Sequence, residues 1–181
     1  DGQTYTFRLH EDAKWHDGVP VTAADVVFSM ESMVNPDQFK VLEGRSTSSH
    51  ANAGLYYETG NSRAIDDKTV EIVTKFPSGG FLLAIANETA PIIPRHTVVD
   101  QEIAQGGRDL KVLNGSGPFK LTEYVKEVSV SYEKDPTYWK TDRNGNARPY
   151  IDGIKMFIIS DSGRQIAAFK TEQVLTANQS I

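Results

Sequence analysis

The sequence predicts a mixed α/β fold in which mostly antiparallel sheets carry helices. Three observations point there. Residues 4–9 alternate polar and apolar side chains, with Tyr5, Phe7 and Leu9 on one face, the period of a half-buried strand. Val26, Val27, Met30, Met33 and Val34 recur at helical spacing instead. Late in the chain, residues 119–125 and 128–133 read as two strands of one hairpin.

The elements follow in order. Asp1-Gly2 has hairpin-turn chemistry and leads into the strand at 4–9. A turn dipeptide of this kind implies a strand on both sides, so the chain is expected to be an internal piece of a longer protein. Lys14-Trp15-His16 runs to a second turn at Asp17-Gly18. Thr22 with Asp25 three residues on is a capping box, with Asp in place of Glu. It opens a helix over 23–34 that Asn35-Pro36 ends. Residues 36–63 are polar and irregular, and Tyr56-Tyr57 is read as the start of a short strand. Asp66-Asp67 is a solvated turn before a strand at 69–74, where Val70 and Ile72 share a face. Pro77-Ser78-Gly79-Gly80 breaks that strand. A short helix at 81–86 and a second at 96–105 follow, the latter stopped by Gly106-Gly107. Asn114-Gly115-Ser116-Gly117-Pro118 is a turn cluster that divides the chain. Beyond the hairpin, Asp135-Pro136 leads to the aromatic pair Tyr138-Trp139, and Ile151-Asp152-Gly153 is a turn before a buried strand at 154–159. Asp161 or Ser162 caps a last helix reaching about residue 171.

Composition narrows the function. The 181 residues suffice for one ordinary domain or two small lobes. Nineteen Lys and Arg against 24 Asp and Glu leave a net charge of −5, without the basic footprint of a nucleic-acid binder. With no Cys, disulfides, thiolate metal sites and thiol catalysis are excluded. No apolar run approaches the roughly 20 residues of a membrane span; the longest, 81–86, is far shorter.

No catalytic signature emerges. His10, His16, His50 and His96 fall in no helical metal-binding pattern. His16 and Asp17 are adjacent, and neighbours on a strand point to opposite faces, so a surface turn is expected rather than a general-base pair. Gly115-Ser116-Gly117 lacks the third glycine and the following helix of a dinucleotide loop. Sequons begin at Asn87, Asn114 and Asn178, but so short a pattern arises often by chance. Trp15, Trp139, Tyr56, Tyr57 and Tyr138 either line a cleft or pack a core; the core is favoured for the tryptophans, while Tyr56 and Tyr57 stay open.

The order of the motifs goes further. Tyr5-Thr6-Phe7-Arg8-Leu9, Lys14-Trp15-His16-Asp17-Gly18 and Val21-Thr22-Ala23-Ala24-Asp25-Val26-Val27-Phe28-Ser29 are followed by Ile65-Asp66-Asp67-Lys68-Thr69-Val70. Gly115-Ser116-Gly117-Pro118-Phe119-Lys120-Leu121, Asp135-Pro136-Thr137-Tyr138-Trp139 and Ile151-Asp152-Gly153-Ile154 complete the series. Read together, over residues 1 to about 173, they closely resemble the family 5 extracellular solute-binding proteins of ABC transporters, which include dipeptide, oligopeptide and nickel binders. The chain departs from that family in lacking its leading strands and large C-terminal lobe. Glu172-Gln173-Val174-Leu175 stands where Gly then Val-Asp is common, and residues 42–57 carry none of the motifs on which the resemblance rests.

The resemblance implies a partial bilobal, periplasmic-binding-protein-like fold. Residues 1–113 would form a smaller-lobe segment and 114–181 part of the main lobe, with Gly115 and Gly117 permitting a tight crossing between them. It implies a binding protein without enzyme activity, cofactor or metal. The parent would be periplasmic or a cell-surface lipoprotein, closing over a small solute, a peptide first of all, and delivering it to an ABC transporter permease. By the same resemblance Asn87, Glu88 and Thr89 would face the ligand, with Tyr56 and Tyr57 as an aromatic wall; the alternative is that 87–89 only caps the preceding helix. Edge strands left without neighbours imply self-association. Two other readings stand beside this one: a secreted hydrolase using His16 with Asp17, or Ser116 with a distant His, and a sensory domain built on the same fold.

Overall fold

The computed structural model describes residues 2–34, 51–86, 91–100 and 113–176. Among the described residues, six strands form two three-stranded antiparallel sheets. In the first, β1 (Thr4–Arg8), β2 (Ser62–Ala64) and β3 (Thr69–Val73) lie in the order β1-β3-β2. In the second, β4 (Phe119–Val125), β5 (Ser129–Lys134) and β6 (Gly153–Phe157) lie in the order β4-β5-β6. All strands of the first sheet precede Asn114 and all strands of the second follow it.

The first sheet is organised by its central strand. Tyr5 pairs with Ile72 and Phe7 with Val70. Val70 and Ile72 point to one face and are fully buried there. That face is covered by helix α1 (Ala23–Val34), whose Ala23, Val26 and Met30 join Val70 and Ile72 in one core. Phe81, the first residue of helix α3 (Phe81–Ile85), completes it and meets Tyr5 with ring centroids 4.8 Å apart. The capping box forms reciprocally: Thr22 donates its N–H to Asp25 Oδ2 at 2.9 Å, and the Asp25 N–H reaches Thr22 Oγ1 at 3.4 Å.

A second, smaller core holds Ala13, Trp15 and Val21, with Leu9 and Trp139 packed against it. Both tryptophans therefore serve packing. The isolated bridge between Lys14 and Pro20 closes the hairpin-like loop that presents Trp15 inward.

Several elements differ from expectation. Tyr56 does not start a strand; it ends helix α2 (Ala51–Tyr56). The reason is tertiary: Tyr57 is pulled into the core beside α1 at 1% exposure. Strand β2 has three residues, Ser-Arg-Ala, with no alternation to reveal it, and exists because the edge of β3 is free to pair. Helix α4 spans Arg95–Asp100; the expected continuation to 105 lies outside the described residues. Val128 stands in the turn before β5 and is 54% exposed, so the apolar face of that strand rests on Val130 and Tyr132. The expected buried strand near 154 is β6, and all five of its residues are exposed. Helix α5 (Ser162–Lys170) is capped by Asp161, which accepts the Arg164 N–H at 2.7 Å.

Candidate functional site

The residues expected to face a ligand divide between two settings. Asn87, Glu88 and Thr89 lie outside the described residues. They follow the end of α3, where the Ala86 N–H is satisfied by the Leu82 carbonyl at 3.0 Å. Helix α3 buries Phe81 and turns Leu82 and Leu83 outward, Leu83 at 79% exposure. Tyr56 is half-buried, its ring tilted against Phe76 at 5.9 Å and edge-on to Phe81 at 6.4 Å. Tyr57 is not beside it on the surface. Its ring is in the core, and its hydroxyl bonds the Glu31 carboxylate and Ser62 Oγ. Burial first, then the Glu31 carboxylate, push its phenol above the ordinary tyrosine range. Within the described residues, Tyr56 alone of the pair offers surface to a solute.

A polar cluster forms where the chain passes from the first sheet to the second. Three segments meet there: the loop carrying His16 and Asp17, the start of α4, and residues 113–118. Asp17 Oδ2 bonds His96 Nε2 at 2.7 Å and accepts from Asn114 Nδ2 at 2.8 Å. Asn114 Nδ2 also donates to Thr97 Oγ1 at 2.9 Å. Partial burial pushes the Asp17 carboxyl up, but the bonds from His96, the Val19 N–H and Asn114 outweigh it and leave the group below its ordinary value. The second attachment is aromatic: His10 stacks on Trp139 with centroids 4.1 Å apart. Arg8, Glu11, Asp12, Ser116 and Tyr138 line an open groove around that stack.

This geometry bears on the expected chemistry. Asp17 pairs with His96, 79 positions away, and not with its neighbour His16. Both ring nitrogens of His16 face backbone groups of Gly115 and Gly117. Among the described residues, neither Ser116 nor any other serine hydroxyl is hydrogen-bonded to a histidine. The Asn114 side chain is committed to Asp17 and Thr97, so the sequon there serves the seam between the sheets. Among the described residues no group of three His, Asp or Glu side chains is placed to hold a metal ion, and no helix is long and apolar enough to cross a membrane. The Asp17–His96–Asn114 cluster is not legible in the sequence, because its members are distant in the chain and each alone reads as an exposed polar residue.

The glycines of the crossing also separate. A Cβ on Gly115 would come within 3.1 Å of His16 Cε1, so close approach explains that glycine. A Cβ on Gly117 would meet nothing within 4 Å, and tight crossing does not explain it.

Two antiparallel sheets with helices, joined through one crossover, define a partial fold of the periplasmic-binding-protein class. The chain belongs to the bacterial extracellular solute-binding proteins, family 5, whose middle-region model matches residues 1–181. It is 30% identical over 184 residues to the dipeptide-binding protein DppE of Bacillus subtilis, covering 98% of this chain and 32% of that protein. It superposes on AgaA of A. tumefaciens R10, solved with agropinic acid, with a TM-score of 0.76 and 25% identity, over 96% of this chain and 31% of that one. Helicobacter pylori DppA, solved with the peptide STSA, gives a TM-score of 0.79 at 23% identity, over 96% of this chain and 34% of that one. The chain thus spans about a third of the length of these relatives. Its family is one of extracytoplasmic solute-binding proteins, not of enzymes.

Proposed function

We propose that the protein carrying these residues is the substrate-binding component of an ABC importer. It binds a peptide or similar small solute reversibly and delivers it to the permease. The observation that carries this reading is the family match along the whole chain, joined to relatives named for dipeptide and oligopeptide binding. Residues 1–113 act as the smaller lobe and 114–181 as part of the main lobe, in the periplasm or on a lipid-anchored cell-surface protein. The work is non-covalent: lobes close over a ligand in the cleft between them, with no chemistry done on the solute.

The ligand-facing set is Asn87, Glu88 and Thr89, with Tyr56 as an aromatic flank. These offer an amide, a carboxylate, a hydroxyl and a ring face, the groups that orient a polar peptide. The outward turn of Leu82 and Leu83 just before them supports this position, because α3 ends on the exposed side of the lobe. Tyr57, committed to Glu31 and Ser62, acts through the packing of that wall.

Calorimetry with defined di- and tetrapeptides on the protein that carries this chain tests the reading, together with mass spectrometry of what co-purifies. Micromolar binding is expected, and replacing Asn87 and Glu88 by Ala should weaken it at least tenfold with little change in melting temperature. Absence of binding to any peptide, or turnover of one, would overturn it. The 181 residues alone should bind weakly. Closure draws its free energy from contacts on both walls, and half of about −8 kcal/mol leaves only millimolar affinity.

A further inference from the structure

His10, His16 and His96 all sit at the seam between the two sheets, and His16 holds backbone groups of the crossover through both of its ring nitrogens. Its backbone N–H donates to the Gly115 carbonyl at 2.7 Å. The Gly115 N–H points at His16 Nδ1 at 3.3 Å, and His16 Nε2 lies 2.9 Å from the Gly117 carbonyl oxygen. A backbone N–H can only donate and a carbonyl can only accept. Nδ1 must therefore be bare and Nε2 must carry the proton. That is the neutral Nε2–H tautomer, with one ring gripping two peptide groups of the crossover.

We propose that His16 is a positioning residue: its neutral Nε2–H form fixes the 113–118 crossover and so sets the attitude of the second sheet on the first, and protonation of the ring releases that hold. A proton on Nδ1 would face the Gly115 N–H, donor against donor, and that bond is lost. The ring would be driven off the glycine it now touches, where a Cβ would stand 3.1 Å away. The other charged groups at the seam are Asp17 on the same loop, His96 from α4, and Arg8, Glu11 and Asp12, which line the groove with His10 and Ser116; residues 113–118 carry none. The other two histidines respond to acid differently. A charged His96 holds Asp17 more firmly, while a charged His10 gains attraction to the Trp139 face but loses the Asp12 N–H that its Nδ1 accepts at 3.2 Å. Whole-molecule melting would mix these three effects, so the readout has to be local.

Nuclear magnetic resonance on the 181-residue chain provides it. Long-range proton–nitrogen correlation of the imidazoles should show His16 as the Nε2–H tautomer near pH 8. On acidification the Gly115 amide shift should titrate with the His16 ring, and its exchange, corrected for intrinsic pH dependence, should rise about tenfold. In His16→Phe, which keeps a ring without nitrogens, that acid response of the Gly115 amide should vanish. Residual dipolar couplings of β4–β6 relative to β1–β3 should change in this variant at pH 8. An Nδ1–H tautomer, or a Gly115 amide that follows His10 or His96 instead, would overturn the proposal. Both of those outcomes are read on the unsubstituted protein, so they decide even where His16→Phe fails to fold.

Discussion

Arg95 donates its backbone N–H to Asp25 Oδ1 at 2.9 Å, so the first residue of α4 is held by the capping residue of α1, 70 positions earlier. The other oxygen of the same carboxylate accepts the Thr22 N–H and hydroxyl, both at 2.9 Å, and the Trp15 indole N–H at 3.4 Å. One buried side chain thus starts two helices and anchors the centre of the smaller core. Asp25→Ala strands four donors at once, the Trp15 indole N–H among them in a buried setting. A loss of about 3 kcal/mol is expected in urea unfolding, against about 1 kcal/mol for Thr22→Ala. Equal losses would mean that Asp25 does no more than cap α1.

Two glycines of the second half should respond differently to a methyl group. A Cβ on Gly153 would lie 2.6 Å from the Tyr132 carbonyl oxygen, the backbone of the strand it pairs with. Backbone cannot swing aside as a side chain can, so β6 must shift. Gly153→Ala should cost about 1–3 kcal/mol. Gly117→Ala, with open space at the added methyl, should change the melting temperature by no more than a degree or two. Thermal unfolding of the two variants side by side checks both.

Much of this was legible in the sequence wherever the signal was local. The Thr22–Asp25 box, the β4–β5 hairpin and the Asp161 cap each lie within a few residues, and each forms where its pattern stands. Where partners come from afar, the sequence is silent. Strand β2 is defined by the free edge of β3, and Tyr57 by a core assembled from α1, β3 and α3. Alternation along residues 128–133 also could not show that Val128 belongs to the turn, since the Val128 N–H bonds back to Val125 at 3.0 Å. The seam is the extreme case. Asp17 finds His96 and Asn114 through the path of the whole first sheet and its helices, so no spacing rule could have joined them.

Strand β6 lies at one edge of its sheet among the described residues, with Met156 55% exposed and Ile154 and Phe157 exposed beside it. Strand β1 is likewise at an edge. Unpaired edges carrying apolar side chains recruit other chains. Light scattering on the 181-residue chain should show mass rising with concentration. Met156→Lys, which sets a charge on the exposed face of β6, should suppress that rise. A monomer at every concentration would discard the expectation of self-association.

Asp135 should make the chain acid-sensitive in a way that one substitution reports. Its side chain is 5% exposed and accepts the Thr137 N–H at 2.9 Å, the Thr137 hydroxyl at 2.7 Å and the Lys120 ammonium at 3.1 Å. Burial pushes the carboxyl up; Thr137 and then Lys120 push it down further, and it rests below the ordinary 3.8. A carboxyl lowered in the folded state binds fewer protons there than in the unfolded chain. Its contribution is therefore complete above the ordinary value and is lost as pH falls through the lower, folded one. Asp135→Asn removes that contribution at neutral pH and leaves little to remove in strong acid. Urea unfolding of both proteins should show a wide gap in stability at pH 7 that narrows steadily below about pH 4. A gap that stays constant or widens on acidification would mean that the Lys120–Asp135 pair contributes nothing through its charge, and that the aspartate matters only as the turn that sets Tyr138 and Trp139.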